Sequence, residues 1–304
     1  MHRLAIAFLL LAACGAATQT SSDAGDLPDE DAAAPDIDAA IVIPPDASTA
    51  RCDPNKAFAA PVLAGRLASV FDDASLTLTR DERLALVGRE SANATTILLA
   101  TRSSATTAFA APSATLPAPL NALPGTEHQP TITGDGLVVY FERRGTEAGI
   151  FVGGRVDTAS EFTAGPAVTI AGVALVDASA PRISGDGATL SWVDATTRLL
   201  MTAPKAGVID SFGAATVAST MAVGSPAISA DGLTLFYASA GEILVATRFD
   251  LVTPFSTGQL VPELNSTAQD APLAISSDGC AVFLKSTRAG GAGGVDIYLA
   301  ERPL

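Results

Sequence analysis

The chain has 304 residues and a formal net charge of -14; 48% of its residues are hydrophobic and only 16% are charged. That is enough apolar material for one large or two ordinary domains with a real core. The acidic balance disfavours nucleic acid and anionic membrane surfaces as direct ligands.

The chain opens with MHRLAIAFLLLAACG: His2 and Arg3, an apolar run from Leu4 to Ala12, then Cys14. The run is too short to span a bilayer and has the proportions of a signal peptide. Leu11-Ala12-Ala13-Cys14 resembles the bacterial lipobox, which implies removal of residues 1–13 and acylation of Cys14. The alternative is an ordinary secretory signal that contains a cysteine. Acyl chains on Cys14 would anchor the mature protein without a transmembrane helix. Gly15 stands where aspartate would favour inner-membrane retention in the enteric pattern, so the resemblance implies the outer membrane of a bacterial envelope.

Residues 15–50 hold eight acidic residues, no basic ones and no aromatic. Such a segment cannot bury enough apolar surface to offset its ordering entropy, so residues 14–50 are expected to be a disordered, self-repelling tether. The remainder, 51–304, carries a charge of -7.

That remainder repeats. Five aspartates, Asp81, Asp135, Asp186, Asp231 and Asp278, sit in the same register, 54, 51, 45 and 47 residues apart. Four are followed by glycine; after Asp81 stands Glu82. Each is followed by a second apolar run that ends in a basic residue: Arg102, Arg155, Lys205, Arg248 and Arg302. Phe109, Phe162, Phe212 and Phe255 lie seven residues beyond the first four, and Arg51 to Phe58 keeps the same interval. A fixed period marks a repeat architecture. Within a unit the runs are short, rich in β-branched and aromatic residues, and bounded by Gly, Asp, Ser and Pro, which describes strands. Four antiparallel strands in about 50 residues is a propeller blade, with Ile132, Ile183, Ile228 and Ile275 packing against neighbours.

The motif P-x-I-S-x-D-G-x-x-L-x-F, seen at Pro226 to Phe236, and the D-I-Y-x-A-x-R run at Asp296 to Arg302 resemble the WD40-like repeats of the TolB family. The resemblance covers 51–304 and implies an all-β propeller, without implying an activity. The family's additional N-terminal domain and six blades are not read in this chain. The five aspartates are expected to be hairpin corners, since Asp and Gly tolerate positive φ and a catalytic group would be needed once rather than in every unit.

The repeat begins with a lone fourth-strand segment, Phe58 to Leu67, and ends with three strands, Pro272 to Arg302. Pairing the first with the last three closes a five-bladed ring and removes an open edge. That closure brings Cys52 and Cys280 to one end of one blade. An exported location permits oxidation, so a Cys52–Cys280 disulfide is expected; two unpaired thiols are the alternative.

Catalytic constellations are sparse. His2 lies in the signal and His128 is read as a solvated loop residue, leaving triads and histidine-rich metal sites poorly supported. AGGAGG (Ala289 to Gly294) joins two strands and is not a phosphate loop. Glu82, Glu142 and Asp194 break the repeat symmetry and are the candidates for carboxylate catalysis in a central funnel. Trp192 is read as blade packing. The sequence therefore points to a monomeric, non-enzymatic binding or scaffold module of the cell envelope, without cofactor or metal, whose partners are envelope proteins. The alternative is a polysaccharide hydrolase or lyase working in the funnel.

Overall fold

The computed structural model describes residues 51–92, 94–123, 125–145 and 147–304. The signal peptide, Cys14 and the tether lie outside the described residues. No helix among those described is long and apolar enough to cross a membrane.

The described residues run through 22 strands. A short strand β1 (Val62–Leu63) leads into a first unit of β2 (Asp72–Leu78), β3 (Leu84–Ser91) and β4 (Ala94–Thr101). The second unit is β5 (Thr126–Ile132), β6 (Val138–Arg144), β7 (Gly149–Gly154) and β8 (Thr163–Ala167). Two short strands follow, β9 (Thr169–Ile170) and β10 (Val173–Ala174). The third unit holds β11 (Ala178–Ile183), β12 (Thr189–Asp194) and β13 (Leu199–Pro204); β14 (Ser211–Phe212) then precedes its last strand, β15 (Thr216–Ala222). The fourth unit is β16 (Gly224–Ile228), β17 (Thr234–Ser239), β18 (Glu242–Thr247) and β19 (Gln259–Leu260). β20 (Asp270–Ile275), β21 (Ala281–Ser286) and β22 (Asp296–Glu301) end the chain.

Within each unit the strands pair antiparallel in chain order, as short connections between twisted strands favour. The first strands stand side by side around an axis: β2 beside β5, β5 beside β11, β11 beside β16, β16 beside β20, and β20 back beside β2. The last sheet has the order β1-β22-β21-β20, so the two ends of the repeat share one sheet and the ring closes. The closing strand is shorter than the sequence suggested. Only Val62 and Leu63 pair in register with Leu299 and Tyr298, extended by Ala59 and Ala64 donating their N–H groups to Glu301 and Ile297.

The expected five blades are corrected to six, one for each sheet. The sixth is a small sheet of order β10-β9-β14, in which β9 pairs antiparallel with β10 and parallel with β14. Residues between the second and third units fold back as a ribbon, and Ile170 packs with Val168 and Phe212 under Trp192 and Tyr140. The propeller is all-β, with apolar clusters wedged between neighbouring sheets. One of them joins Leu76 and Val87 of the first unit to Phe283 and Ile297 of the last. Burial of such side chains, about 1.5–3 kcal/mol each, is the main force holding the stack together. Trp192 is buried in one of these clusters, as blade packing requires.

Each first strand carries a bulge. In the middle three units it centres on Gln129, Ala180 and Ser225, at φ 48°, 50° and 42°, each followed by proline. Proline has no N–H to give to the ladder, so the strand bends there and turns its next residues toward the axis.

Candidate functional site

The five aspartates are structural corners, but not by the mechanism the dipeptide suggests. Each accepts two hydrogen bonds on one oxygen. The hydroxyl two residues before donates at 2.5–2.7 Å (Thr79, Thr133, Ser184, Ser229 and Ser276). The backbone N–H two residues after donates at 2.9–3.0 Å. Positive φ falls on the following residue alone: Gly136, Gly187, Gly232 and Gly279 at 71–76°, and Glu82 at 56°. The aspartate is a hydrogen-bonded brace, and glycine supplies the left-handed step.

A basic residue secures this corner from behind. Arg155 and Arg248 each donate Nε to the turn carbonyl of Gly136 or Gly232 at 2.8 Å, and Arg102 does so to Glu82 at 2.6 Å. The same guanidinium groups lie 4.4 Å over Phe109, Phe162 and Phe255. The cation on Phe58 is not Arg51, seven residues before it, but Arg302, 4.0 Å from the ring centroid. The last arginine of the chain therefore finds its phenylalanine at the start of the repeat. Lys205 instead forms a backbone bridge with Phe212.

Glu82 is nearly inaccessible and accepts from Arg51 and Arg102, both at 3.0 Å, and from the Ser277 N–H at 3.1 Å. Arg51 also reaches Asp278 at 2.9 Å. Beside this network Cys52 and Cys280 are bonded, with sulfurs 2.06 Å apart. Residues at both ends of the repeat and in its first turn thus form one latch on the turn-bearing face.

The axis holds a cavity of about 630 Å³ that opens at this face. Thr77, Thr131, Arg182, Ala227 and Ala274 line it, one from each first strand. Glu82, Asp186 and Asp231 reach its rim, each already holding the partners described. The structure does not bring the three candidate carboxylates together. Glu82 belongs to the latch. Glu142 and Asp194 are at the ends of second strands, on the opposite face. Glu142 takes Arg144 at 2.5 Å and the Ala180 N–H at 3.3 Å. Asp194 takes the N–H groups of Thr196 and Thr197.

His128 is corrected from a loop residue to a buried one on β5. Its Nδ1 lies 3.0 Å from Glu90 and its Nε2 3.0 Å from the Thr126 hydroxyl. Among the described residues no cluster of His, Cys, Asp and Glu has the makings of a metal site. Residues that sequence reasoning passed over are Arg182 and Lys285. Burial lowers Arg182 to about 10. Lys285 is lowered by burial, raised by Glu90, and lowered again by Arg182 and Arg144. Superposing the units would have exposed Arg182, which stands where the others carry Thr or Ala.

The loops from third to fourth strands share the turn-bearing face and expose apolar side chains: Val156 in the second unit, Val208 in the third, and Phe249 and Val252 in the fourth. Phe249 is 93% exposed and Val252 90%.

No protein-family model matches the chain, and no curated protein matches it. Solved structures do resemble it. An exo-beta-1,3-galactanase from Phanerochaete chrysosporium superposes with a TM-score of 0.52 at 12% identity, covering 79% of this chain and 64% of the other. The catalytic domain of an alpha-L-arabinofuranosidase from Coprinopsis cinerea gives 0.50 at 9% identity, over 82% and 97%. TolB from Acinetobacter baumannii gives 0.43 at 13% identity over 77% of this chain; the match spans 55% of that protein, about half its length. At such identities the likeness shows the β-propeller fold and no activity.

Proposed function

We propose that this chain is a lipid-anchored β-propeller of the bacterial cell envelope, held by Cys14 in the outer membrane, whose turn-bearing face docks another envelope protein. The observation that carries the reading is the pairing of apolar loops with committed carboxylates on one face. Phe249 and Val252 stand in water at a mouth whose acids are already hydrogen-bonded. Exposed apolar groups gathered around a rigid ring suit a protein partner. A polysaccharide hydrolase needs two carboxylates at a defined separation across the sugar, one of them free to give a proton. Glu82, Glu142 and Asp194 offer no such pair.

The test is a photo-crosslinking amino acid placed at Phe249 or Val252 in growing cells, with exposed Val173 as control. A discrete adduct from the first two positions and not from the control supports docking. Equal patterns from all three remove it. Turnover of any envelope polysaccharide that is lost in the Glu142→Gln variant would restore the hydrolase.

A further inference from the structure

Arg182 lies four residues before its turn aspartate, where the other units place Thr77, Thr131, Ala227 and Ala274. The repeat itself has no use for a cation at this register. Thr77 and Thr131 serve there by accepting the N–H groups of Ile132 and Ile183 from the neighbouring unit. Arg182 donates Nε to the Pro226 carbonyl at 2.6 Å and Nη1 to the Pro181 carbonyl at 2.8 Å. These two bonds fix the guanidinium in the channel wall. Nη2 and the second hydrogen of Nη1 have no protein acceptor among the described residues.

Among the described residues no carboxylate pairs with Arg182, although the chain as a whole has 32 acidic residues to 18 basic ones. A half-buried charge without a counterion is costly, and a carboxylate here would relieve the cost. Lys285 adds a second cation within electrostatic reach, and the described residues give its ammonium no ion pair or hydrogen bond. Glu90, the acid that acts on Lys285, is itself shared with His128. Arg182 thus places a rigid, planar cation, short of an acceptor, in the wall of a channel whose acids, Glu82, Asp186 and Asp231, stand at the rim.

We propose that the central channel binds an oxyanion, the phosphate or carboxylate group of a small molecule, which Arg182 grips through Nη1 and Nη2 while Lys285, outside the cavity lining, adds positive potential at longer range. A fixed guanidinium edge matches the spacing of two such oxygens. The cavity of about 630 Å³ leaves room for a body beyond the anionic group, against Ile132 and Ile183. The proposal does not rest on docking at the loops, although Val252 borders the same cavity.

The experiment follows thermal unfolding of the full-length protein against inorganic phosphate, with chloride at matched ionic strength. Phosphate is expected to raise Tm of the wild type and of the Arg66→Gln control. In Arg182→Thr, which restores the residue of the first two units, the phosphate concentration needed for the same rise should increase by about tenfold or more, as loss of a charged hydrogen bond implies. Lys285→Gln should shift it in the same direction, and carries the test if the first variant does not fold. No phosphate-specific rise in the wild type, or equal rises in wild type and both variants, overturns the proposal.

Discussion

The backbone N–H of Ser277 donates to the carboxylate of Glu82 at 3.1 Å across 195 residues of chain. The same carboxylate holds Arg51 and Arg102. Glu82 therefore joins the first turn of the ring to its last and to the segment that enters it. Removing one partner of a buried charge network leaves the others uncompensated.

Glu82→Ala is accordingly expected to lower the unfolding free energy by about 3 kcal/mol. Glu82→Gly should lose less than Ala, by about 1 kcal/mol, because glycine accepts the left-handed backbone that Glu82 holds at φ 56°. Urea midpoints of the two variants measure both effects. A loss under 0.5 kcal/mol, on the order of a surface pair, would mean that the network does not latch the ring.

The Cys52–Cys280 bond spans 228 residues. In the chain-entropy treatment a loop of that length stabilises by about 5 kcal/mol, chiefly by restricting the unfolded chain. The double variant Cys52→Ala, Cys280→Ala should then unfold at much lower urea, and reductant should shift the wild type but leave the variant unmoved. Equal midpoints for oxidised and reduced wild type would count against the latch.

How much of this was legible depends on whether a residue's partner lies in its own unit. Asp135, Asp186, Asp231 and Asp278 are readable because each needs the same two local donors, so the sequence repeats their neighbours with them. Ring closure is readable from the phase of the units. Glu82 looked like a degenerate turn because its partners, Arg51 and Ser277, are near only after closure. His128 looked like a loop because the bulge at Gln129 breaks the alternation that marks a strand. The β9-β10-β14 sheet is built from two-residue strands, too short to show any period. Arg182 was visible only as an exception to its own register.

Arg302 and Phe58 provide a further test of closure. Their contact has the geometry of the Arg–Phe pairs inside the first, second and fourth units, but it joins the two ends of the repeat. A double-mutant cycle of Arg302→Gln and Phe58→Leu should give a coupling of about 1 kcal/mol. The internal pair Arg248 and Phe255 should give a similar value. Coupling for the internal pair with none for the terminal one would show that β1 frays from its sheet in solution.

The turn aspartates also set the response to acid. Burial pushes Asp81, Asp135 and Asp278 up, but the hydroxyl and N–H donors outweigh it and hold all three below the ordinary 3.8. Asp186 and Asp231 are held below it chiefly by the Ser184 and Ser229 hydroxyls. A carboxyl lower in the folded than in the unfolded chain stabilises the fold above its unfolded value, and that stabilisation is lost as pH falls through the folded one. Asp73 and Glu127 act in the opposite sense, because burial raises both and their protonation favours the folded state. Asp157, Asp194, Asp250 and Asp270 are lowered as well; with these and the five turn aspartates set against two raised groups, stability should hold from neutral pH to about 5 and then decline between about 4 and 2. Asp186→Asn with Asp231→Asn keeps an oxygen to accept both donors but removes two titrating groups. Urea midpoints taken from pH 7 to pH 2 should therefore fall less steeply for that double variant than for the wild type; parallel curves would mean that the acid sensitivity resides elsewhere.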